Sequence, residues 1–486
     1  MRQMIAHAIL GTMIASAGVQ PAAAQATRSA SSSQRPNILF IMTDQQHAGM
    51  LSCAGNPHLR TPAMDALAAA GTRFELAYAT NPVCVPSRFS LQTGRMPSVI
   101  GMRSNEGKLP VPEPICAESL GPLLRKAGYK CAYGGKDHTP TDLSGYMMTH
   151  GYELLTRDER DNLAARCAEF LARPHDRPFF LFVSFINPHD ICYMAINDHL
   201  RSEGRPIRTN PASQFCERLL DQARSSGDLA AFVRDHCPPL PDNFEVPSLE
   251  PSCIRTEYVE PVAFRQFARE HYSADMWRLH RWLYCRLTES VDAQIAIVLN
   301  ALRDAGLEHN TLVVFTSDHG DMDAAHRLEH KSVLYEESVH VPLIVSWKGK
   351  LPAGRVDRTH LISNGLDLLP TLCDFADIEP PADLPGRSIR PLLEGKADDW
   401  RDYVVSESQN GRMVRTQRYK YCLYDRGENR EMLIDLQNDP GEMRNLVGSP
   451  DHREVLNAHR ALLQRWVRQQ ADDMAAAYLI PPEPQS

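Results

Sequence analysis

Residues 37–44 read NILFIMTD, a run of apolar side chains that ends at the carboxylate of Asp44. A run without alternation of apolar and polar residues is typical of a parallel strand that is buried on both faces. Similar segments occur at 178–190, 310–321 and 341–349, and residues 117–138, AESLGPLLRKAGYKCAYGGKDH, have the pattern of a helix followed by a strand. Strands that alternate with helices predict an α/β fold with a large, mostly parallel central sheet flanked by helices.

Polar side chains follow four of these strands, at or just beyond the carboxyl end of each strand. They are Asp44 with Gln45, Lys136 with His138, His189, and Asp318 with His319. Ligands bind at the carboxyl edge of open α/β sheets, so we expect these side chains to converge at that edge.

Asp44, Gln45, Asp318 and His319 together offer two carboxylates, an amide oxygen and an imidazole. Oxygen ligands favour Ca²⁺ or Mg²⁺, and the imidazole adds Mn²⁺ to the choice. An aspartate after a strand is just as often a helix cap or a turn residue. For the four residues as a set, a site for a divalent cation is the better interpretation.

Lys136 and Lys331 are candidate clamps for a tetrahedral oxyanion such as sulfate or phosphate, because each supplies a point positive charge. His138 and His189 can accept or donate a proton near neutral pH. A single lysine is usually a solvated surface charge, and a single histidine is usually a hydrogen-bonded polar residue. The residue types alone leave both interpretations open.

The usual sequence patterns of a zinc site are absent. None of the twelve cysteines belongs to a CxxC pair, and we expect most of them to be small core residues. His326 and His330 have the i, i+4 spacing of helical zinc ligands, but HExxH is missing. We interpret these two histidines as residues that flank Lys331 and shape its loop.

Composition and the N-terminus predict an exported protein. The 486 residues are 43% hydrophobic and carry a net charge of −8, which argues against nucleic acid and anionic membranes as partners. Residues 1–26 are predicted to be a signal peptide and residues 27–35 a linker, so we expect a periplasmic or secreted protein. No cysteine lies directly after the predicted signal peptide, so a lipid anchor is not expected. No second stretch is long and apolar enough to span a membrane, so we expect no membrane anchor.

The remaining chain is predicted to form two units. Residues 36–395 are predicted to make the larger domain, which contains all of the candidate site residues, with an insert at about 191–275 that lacks strand periodicity and is interpreted as a cap or lid. Residues 396–486 make a smaller subdomain of short antiparallel strands closed by a helix at 451–476. The oligomeric state does not follow from the sequence.

Cys84 has four interpretations: half of a disulfide, a thiol nucleophile, a metal ligand or a modified residue. The segment 84–95, CVPSRFSLQTGR, matches C-x-P-S-R-x-x-L-x-T-G-R and resembles the signature of the type I sulfatases of the alkaline phosphatase superfamily. NILFIMTDQQ, GGKDH, NPHD, TSDHGD and EHKSVLYEESVHVPLIV resemble further family segments, in the family's order. The resemblance covers about 35–450 and implies an alkaline-phosphatase-like fold.

The resemblance also implies a role for each site residue. Cys84 would be oxidised to formylglycine (3-oxoalanine) by a formylglycine-generating enzyme, and its hydrate would be both nucleophile and metal ligand. The other implied roles are cation ligands for Asp44, Gln45, Asp318 and His319, support of formylglycine for Arg88, sulfate binding for Lys136 and Lys331, assistance to the nucleophile or to product release for His138, and general acid for His189.

Two departures from the common family pattern concern the cation and the substrate. Many members have two adjacent aspartates where this chain has Asp44-Gln45, and asparagine where it has His319. The version in this chain also occurs in relatives that hydrolyse phosphonate or phosphate esters with Mn²⁺, so Ca²⁺ is expected with Mn²⁺ or Mg²⁺ as alternatives. We therefore predict an exported sulfatase for a sulfated carbohydrate. The alternatives are a choline or aryl sulfatase, a phosphonate or phosphate ester hydrolase, and a non-catalytic glycan binder if Cys84 is unmodified.

Overall fold

The computed structural model describes residues 35–105, 109–396 and 399–483, and the apolar run NILFIMTD forms its central strand. Within these residues the strands are β1 (Asn37–Asp44), β2 (Thr72–Phe74), β3 (Ala77–Tyr78), β4 (Lys130–Gly135), β5 (Glu153–Thr156), β6 (Phe179–Pro188), β7 (Thr311–Ser317), β8 (Leu343–Ser346), β9 (Arg355–Asp357), β10 (Ile362–Ser363), β11 (Tyr403–Glu407), β12 (Gly411–Thr416), β13 (Tyr419–Tyr424) and β14 (Glu431–Asp435). The predicted signal peptide and residues 27–34 of the predicted linker lie outside the described residues.

The main sheet has eight strands in the order β5-β4-β6-β1-β7-β8-β2-β9. β1 is parallel to β6 on one side and to β7 on the other, and all eight of its residues are buried. Ile38, Phe40 and Met42 pack into the hydrophobic core on one face of the sheet, whereas Leu39 and Ile41 pack into the core on the other. This two-sided burial explains the unbroken apolar run and confirms the predicted mostly parallel α/β sheet.

β8 runs against the other strands of this sheet, because it is antiparallel to both of its neighbours, β7 and β2. A parallel strand after β7 would need a crossover connection along the face of the sheet, usually a helix. The connection between β7 and β8 instead holds a short 3₁₀ turn, Ala325–Arg327, and a four-residue helix, Glu336–Val339, and the chain turns back at the same edge. The direction of the strand predicted at 341–349 is therefore set by this loop.

Helices cover both faces of the sheet. They are α1 (Pro62–Ala69), α2 (Cys84–Thr93), α3 (Glu113–Ala117), α4 (Leu120–Lys126), α5 (Thr141–Tyr146), α6 (Leu163–Ala172), α7 (Cys192–Ser202), α8 (Pro211–Arg224), α9 (Leu229–His236), α10 (Ala263–His271), α11 (Ala274–Asp304), α12 (Glu336–Val339), α13 (Asn364–Phe375), α14 (Arg390–Leu393), α15 (Arg453–Gln470) and α16 (Asp473–Ala476). Side chains of α2, α4 and α13 enter one core, and those of α1, α6 and α11 enter the other.

The region predicted as an insert is helical and contains α7 to α10. Its apolar side chains share a separate hydrophobic cluster with the first turns of α11, including Trp277 and Trp282. The insert thus packs on the amino-terminal part of α11, whose later turns cover the main sheet. The domain limits at 191–275 and 395–396 stay predictions.

The C-terminal strands β11 to β14 form a four-stranded antiparallel sheet. Leu463, Trp466 and Val467 of α15 pack on Val414 of β12 and Leu433 of β14. This arrangement confirms the predicted antiparallel sheet with a closing helix. None of the helices among the described residues is long and apolar enough to cross a membrane. All twelve cysteines are free, and eleven are buried.

Candidate active site

Cys84 lies at the centre of a buried cluster of charged side chains. It is the first residue of α2, and its Sγ is 3.0 Å from Lys331 Nζ and 3.2 Å from His319 Nε2. Lys136 Nζ is 3.8 Å away and Asp44 Oδ1 is 3.7 Å away. The sulfur occupies the position at which the oxygen atoms of a hydrated formylglycine would lie if residue 84 were modified.

The surroundings of Cys84 stabilise negative charge. Burial alone would raise the pKa of the thiol, but the ammonium groups of Lys136 and Lys331 outweigh burial and hold this pKa well below its ordinary value. The position at the start of α2 adds to this effect, because the amino end of a helix carries partial positive charge. An anion is thus favoured at residue 84.

Arg88 lies one helical turn after Cys84 and joins three strands of the sheet. Its Nε donates to Asp318 Oδ2 at 2.8 Å and its Nη2 donates to Asp44 Oδ2 at 2.8 Å. Its Nη1 donates at 2.8 Å to the Ser184 hydroxyl on β6. The side chain is 1% exposed, so the guanidinium fixes the two carboxylates from within the protein.

Asp44, Cys84, Asp318 and His319 are suited to hold a cation. One donor atom of each lies within 4.8 Å of the others, and all four residues are buried. His319 Nδ1 is 2.9 Å from the carbonyl oxygen of Gly320, which leaves Nε2 as the ligand atom. Two carboxylates, an imidazole and an oxygen or sulfur donor at residue 84 fit a divalent ion.

The two carboxylates have different affinities for a proton. Burial raises the pKa of Asp44, but Lys136, His189 and Arg88 outweigh it and the pKa lies well below the ordinary value. The pKa of Asp318 is raised by burial and by the negative charge of Asp44. A cation between the two carboxylates would remove this mutual repulsion and keep both ionised.

Gln45 lies beside the cluster with φ of 69°, in the left-handed region. Its Oε1 accepts a hydrogen bond from Lys331 Nζ at 2.8 Å, and its Nε2 donates to Asp321 Oδ2 at 2.6 Å. The amide oxygen therefore faces the cluster, and the amide nitrogen faces away from it.

Lys136 and Lys331 are buried, in contrast to most lysines. Lys136 Nζ donates to Asp44 Oδ2 at 2.6 Å. Burial lowers the pKa of Lys136, but the carboxylate of Asp44 outweighs burial and raises it above the ordinary value. Lys136 therefore stays charged, and the Nζ atoms of both lysines lie within 3.8 Å of Cys84 Sγ, an arrangement that can bind an oxyanion.

The two predicted proton-transfer residues have different surroundings. His138 is exposed, with φ of 46°, and its side chain hydrogen-bonds to Cys84 and lowers the pKa of that thiol. Burial and the charges of Lys331 and Lys136 lower the pKa of His189 to about 4. His189 is therefore neutral at pH 7 in the absence of an anionic ligand.

The structure adds residues that the sequence did not single out. Asp321 contacts Gln45, and Tyr284 of α11 donates to the Gln45 carbonyl oxygen at 2.5 Å. Phe264 of the insert packs edge-on against His330, with ring centroids 6.1 Å apart. The segment TSDHGD contains Asp321 close to the predicted ligands Asp318 and His319, whereas nothing in the sequence indicated Tyr284 or Phe264.

His326 and His330 do not share a helix face. His330 Nδ1 is 3.3 Å from Gln45 Nε2, whereas His326 stacks on Tyr335 with ring centroids 4.0 Å apart. Both residues have positive φ values, in a loop with a single short 3₁₀ turn. The interpretation that His330 shapes the loop of Lys331 agrees with this geometry.

Comparisons with known proteins identify relatives over nearly the whole described chain. A family model described as sulfatase matches residues 36–378, and one described as N-sulphoglucosamine sulphohydrolase, C-terminal, matches 324–470. A Delta 4,5-hexuronate-2-O-sulfatase of Bacteroides thetaiotaomicron is 32% identical, with 91% of each chain covered.

Solved structures give the same fold. A 2-O GAG sulfatase superposes with a TM-score of 0.74 at 28% identity, covering 92% of this chain and 95% of that one. The phosphonate monoester hydrolase of Agrobacterium radiobacter has a TM-score of 0.67 at 21% identity, with 90% and 96% covered, and shares the fold. The chain belongs to the sulfatase family, whose members hydrolyse sulfuric esters.

Proposed function

We propose that this chain is an exported sulfatase that removes a sulfate ester from a carbohydrate, with formylglycine at residue 84 and a divalent cation. The observation that most directly supports this proposal is the arrangement of charged groups around Cys84 Sγ. Two ammonium groups and an imidazole lie within 3.8 Å of this sulfur, and two carboxylates that Arg88 holds in place lie beside it. Cys84 does not form a disulfide in the structure, in which all twelve cysteines are free.

Modification of Cys84 accounts for the sequence around it. As a hydrated aldehyde, residue 84 would supply two hydroxyl groups on one carbon. One would attack the sulfur atom of the substrate's sulfate group while the ester oxygen leaves, and loss of the proton of the other would expel sulfate and regenerate the aldehyde. The ammonium groups of Lys136 and Lys331 beside Cys84 suit the binding of an oxyanion such as sulfate better than they suit an acyl-transferring thiol. The modifying partner would be a formylglycine-generating enzyme that acts on the motif at 84–95.

The cation would be held by Asp44, Asp318, His319, Gln45 and residue 84. Ca²⁺ is the first choice because oxygen donors dominate, and Mn²⁺ or Mg²⁺ are the alternatives because an imidazole is present. When bound, the ion lowers the pKa of the attacking hydroxyl and neutralises charge on the sulfate.

The side chains around the cation would divide the remaining work. Lys136 and Lys331 would bind sulfate oxygens and stabilise the charge that develops in the transition state. His138, which hydrogen-bonds to residue 84, would hold or move the proton of its hydroxyl. His189 would protonate the leaving oxygen once the negative charge of a bound sulfate raises its pKa from about 4.

A glycan substrate is favoured by the relatives. They include a Delta 4,5-hexuronate-2-O-sulfatase and an N-acetylglucosamine-6-O-sulfatase from Bacteroides thetaiotaomicron. The insert would supply specificity, since Phe264 lies against His330 and the His330 ring is 6.3 Å from that of His189.

A phosphonate or phosphate ester hydrolase is the second candidate function. It is favoured by the donor pairs Asp44-Gln45 and Asp318-His319, because this version of the site also occurs in relatives with that activity. Comparison of kcat/KM for the sulfate and phosphate esters of one phenol separates the two functions. We expect the sulfate to be preferred, and a clear preference for phosphate would overturn the proposal.

Mass spectrometry of the peptide that contains residue 84 tests the modification. In protein exported by its native host, the CH₂SH side chain of residue 84 should be replaced by an aldehyde, with the corresponding loss of mass. An intact thiol in that sample would contradict the proposed chemistry and favour a non-catalytic glycan binder. The N-terminal sequence of the same sample tests export, because a processed protein should begin near residue 27.

A further inference from the structure

The two ends of the Gln45 amide meet opposite chemical surroundings. Oε1 lies 2.8 Å from the ammonium group of Lys331, which can only donate. Nε2 lies 2.6 Å from Asp321 Oδ2 and 3.3 Å from His330 Nδ1. The oxygen and nitrogen of an amide have nearly the same shape, so these partners decide which end faces the cation ligands.

A reversed amide would make both main contacts unfavourable. The NH₂ group would then face the Lys331 ammonium, and the carbonyl oxygen would face the Asp321 carboxylate. The Gln45 main chain cannot relieve this conflict easily. Its N–H donates to Asp318 Oδ1 at 3.1 Å and its carbonyl accepts from Tyr284.

Asp321 is itself fixed in the loop after β7. Its Oδ1 accepts a hydrogen bond from the Asp323 amide at 2.8 Å, and its side chain is fully buried. One carboxylate oxygen therefore holds the loop, and the other holds Gln45. Neither oxygen of Asp321 contacts Cys84, Asp44 or His319, so this residue acts on the site through Gln45.

We propose that Asp321 is a positioning residue that presents the Gln45 oxygen, rather than the Gln45 nitrogen, to the cation. This inference rests on the proposed cation site. It also explains why a glutamine can replace the aspartate common at this position in the family. A carboxylate has two equivalent ligand atoms, whereas an amide has one and needs a partner that selects its orientation.

Titration calorimetry on chelator-treated protein with Ca²⁺, Mn²⁺ or Mg²⁺ tests this role without measuring catalysis. The variant Asp321→Asn keeps the shape but offers one oxygen for two donors, Gln45 Nε2 and the Asp323 amide. We expect a Kd about 10- to 100-fold higher, as for other residues that orient metal ligands. An unchanged Kd would overturn the inference.

The variant Gln45→Glu separates positioning from general support of the loop. In the Asp321→Asn background a carboxylate at position 45 needs no orientation, and an amide at 321 can donate to it, so cation affinity should recover. In the native background the same change sets two carboxylates against each other and should weaken binding. A double variant that binds no better than Asp321→Asn would overturn the inference.

Asp323→Asn is the matched control. Asp323 lies in the same loop but pairs with Arg281 at 3.1 Å and does not contact Gln45, so its loss should leave Kd unchanged. Wild-type protein that binds none of the three cations would overturn the cation-dependent function itself. Normal wild-type binding with an unaffected Asp321→Asn variant would overturn only the positioning role.

Discussion

Buried charges are arranged differently in the active site and in a second cluster of charged side chains beside the C-terminal sheet. The second cluster, here called the C-terminal ionic cluster, consists of Lys420, Glu336, Glu442, Arg415 and Tyr78. Lys420 is fully buried, with its Nζ 3.2 Å from Glu336 Oε1 and 2.8 Å from Glu442 Oε1. Tyr78 donates to Glu336 at 3.0 Å and accepts from Arg415 at 2.9 Å.

In the active site, by contrast, positive groups converge on one atom. Lys331 Nζ is 3.0 Å from Cys84 Sγ, and its nearest carboxylate oxygen, Asp44 Oδ1, is 4.0 Å away. In the C-terminal ionic cluster each charge faces an opposite charge, as stability requires. Arg88 and Lys136 pair with carboxylates in the active site as well, so the feature that distinguishes it is the buried Lys331, whose ammonium group faces Cys84 instead of a close carboxylate.

The largest expected effect is the loss of activity on changing the centre of the active site. Cys84→Ala should lower kcat/KM for a sulfate ester by roughly 10⁴-fold or more, because the proposed nucleophile is removed. Melting temperature should fall slightly, because Lys136 and Lys331 lose the negative group that lies beside them at residue 84. Cys422→Ala, a buried cysteine next to the C-terminal ionic cluster, should lower melting temperature and leave kcat/KM unchanged. The reverse pattern would contradict the comparison.

Changing the C-terminal ionic cluster should have the opposite outcome. Lys420→Met leaves Glu336 and Glu442 buried without their cation, so the free energy of unfolding in urea should fall by about 3–5 kcal/mol. The kcat/KM of the folded protein should fall much less than for a change at Lys331, because the Glu336 amide still donates to Glu442 at 2.6 Å and keeps one anchor of the loop. Adding Glu442→Gln should restore part of the stability, and no restoration would show that the loss comes from packing instead of charge.

Removal of one converging charge from the active site should again affect rate more than stability. Lys331→Met should lower kcat/KM by about 10²- to 10³-fold, because one donor to the sulfate is lost. Lys350→Met, which changes an exposed lysine beyond β8, is the matched control and should leave kcat/KM unchanged. A large fall in unfolding free energy for Lys331→Met would place Lys331 among the structural charges.

The smallest effect concerns a histidine near the C-terminal ionic cluster. Burial and the charges of Lys420 and Arg269 lower the pKa of His326 to about 3 and outweigh the opposite effect of a hydrogen bond with the Glu245 main chain. Between about pH 6.5 and about pH 3, His326 is protonated in the unfolded chain but neutral in the folded protein. His326 should therefore cost about 2 kcal/mol of stability at pH 5, relative to pH 8.

Melting temperature measured from pH 8 to pH 5 checks this expectation. His326→Asn tolerates the positive φ of 55° and cannot be protonated in this range. Its melting temperature should start lower, because the stacking on Tyr335 is lost, but should fall less steeply with acid. An equal slope in both proteins would assign the acid sensitivity to other groups.

The sequence predicted the parts of the fold and site that depend on local pattern. NILFIMTD predicted a two-sided buried strand, and the polar residues after β1, β4, β6 and β7 predicted which edge of the sheet holds the site. The motif at 84–95 singled out Cys84 and Arg88, but the structure was needed to show that both lie on α2, four residues apart and on one helix face. Their distances to the carboxylates still required the structure.

The rest depended on contacts between segments far apart in the chain. Asp321 meets Gln45 because β1 and β7 are parallel neighbours, with Thr43 opposite Ser317. Strand order β5-β4-β6-β1-β7-β8-β2-β9 does not follow chain order, so this neighbour relation was not readable from the sequence. The path of the loop after β7, and hence the direction of β8, depends on its packing against the C-terminal sheet.

The turn back between β7 and β8 has a consequence for engineering a minimal enzyme. This loop holds Lys331, and five residues later Glu336 is anchored to the C-terminal sheet through Lys420 and through its own amide, which donates to Glu442 at 2.6 Å. A truncation at the predicted boundary after residue 395 would remove both anchors. The C-terminal sheet is thus part of the catalytic scaffold, and trimming or grafting this enzyme should keep the two units together.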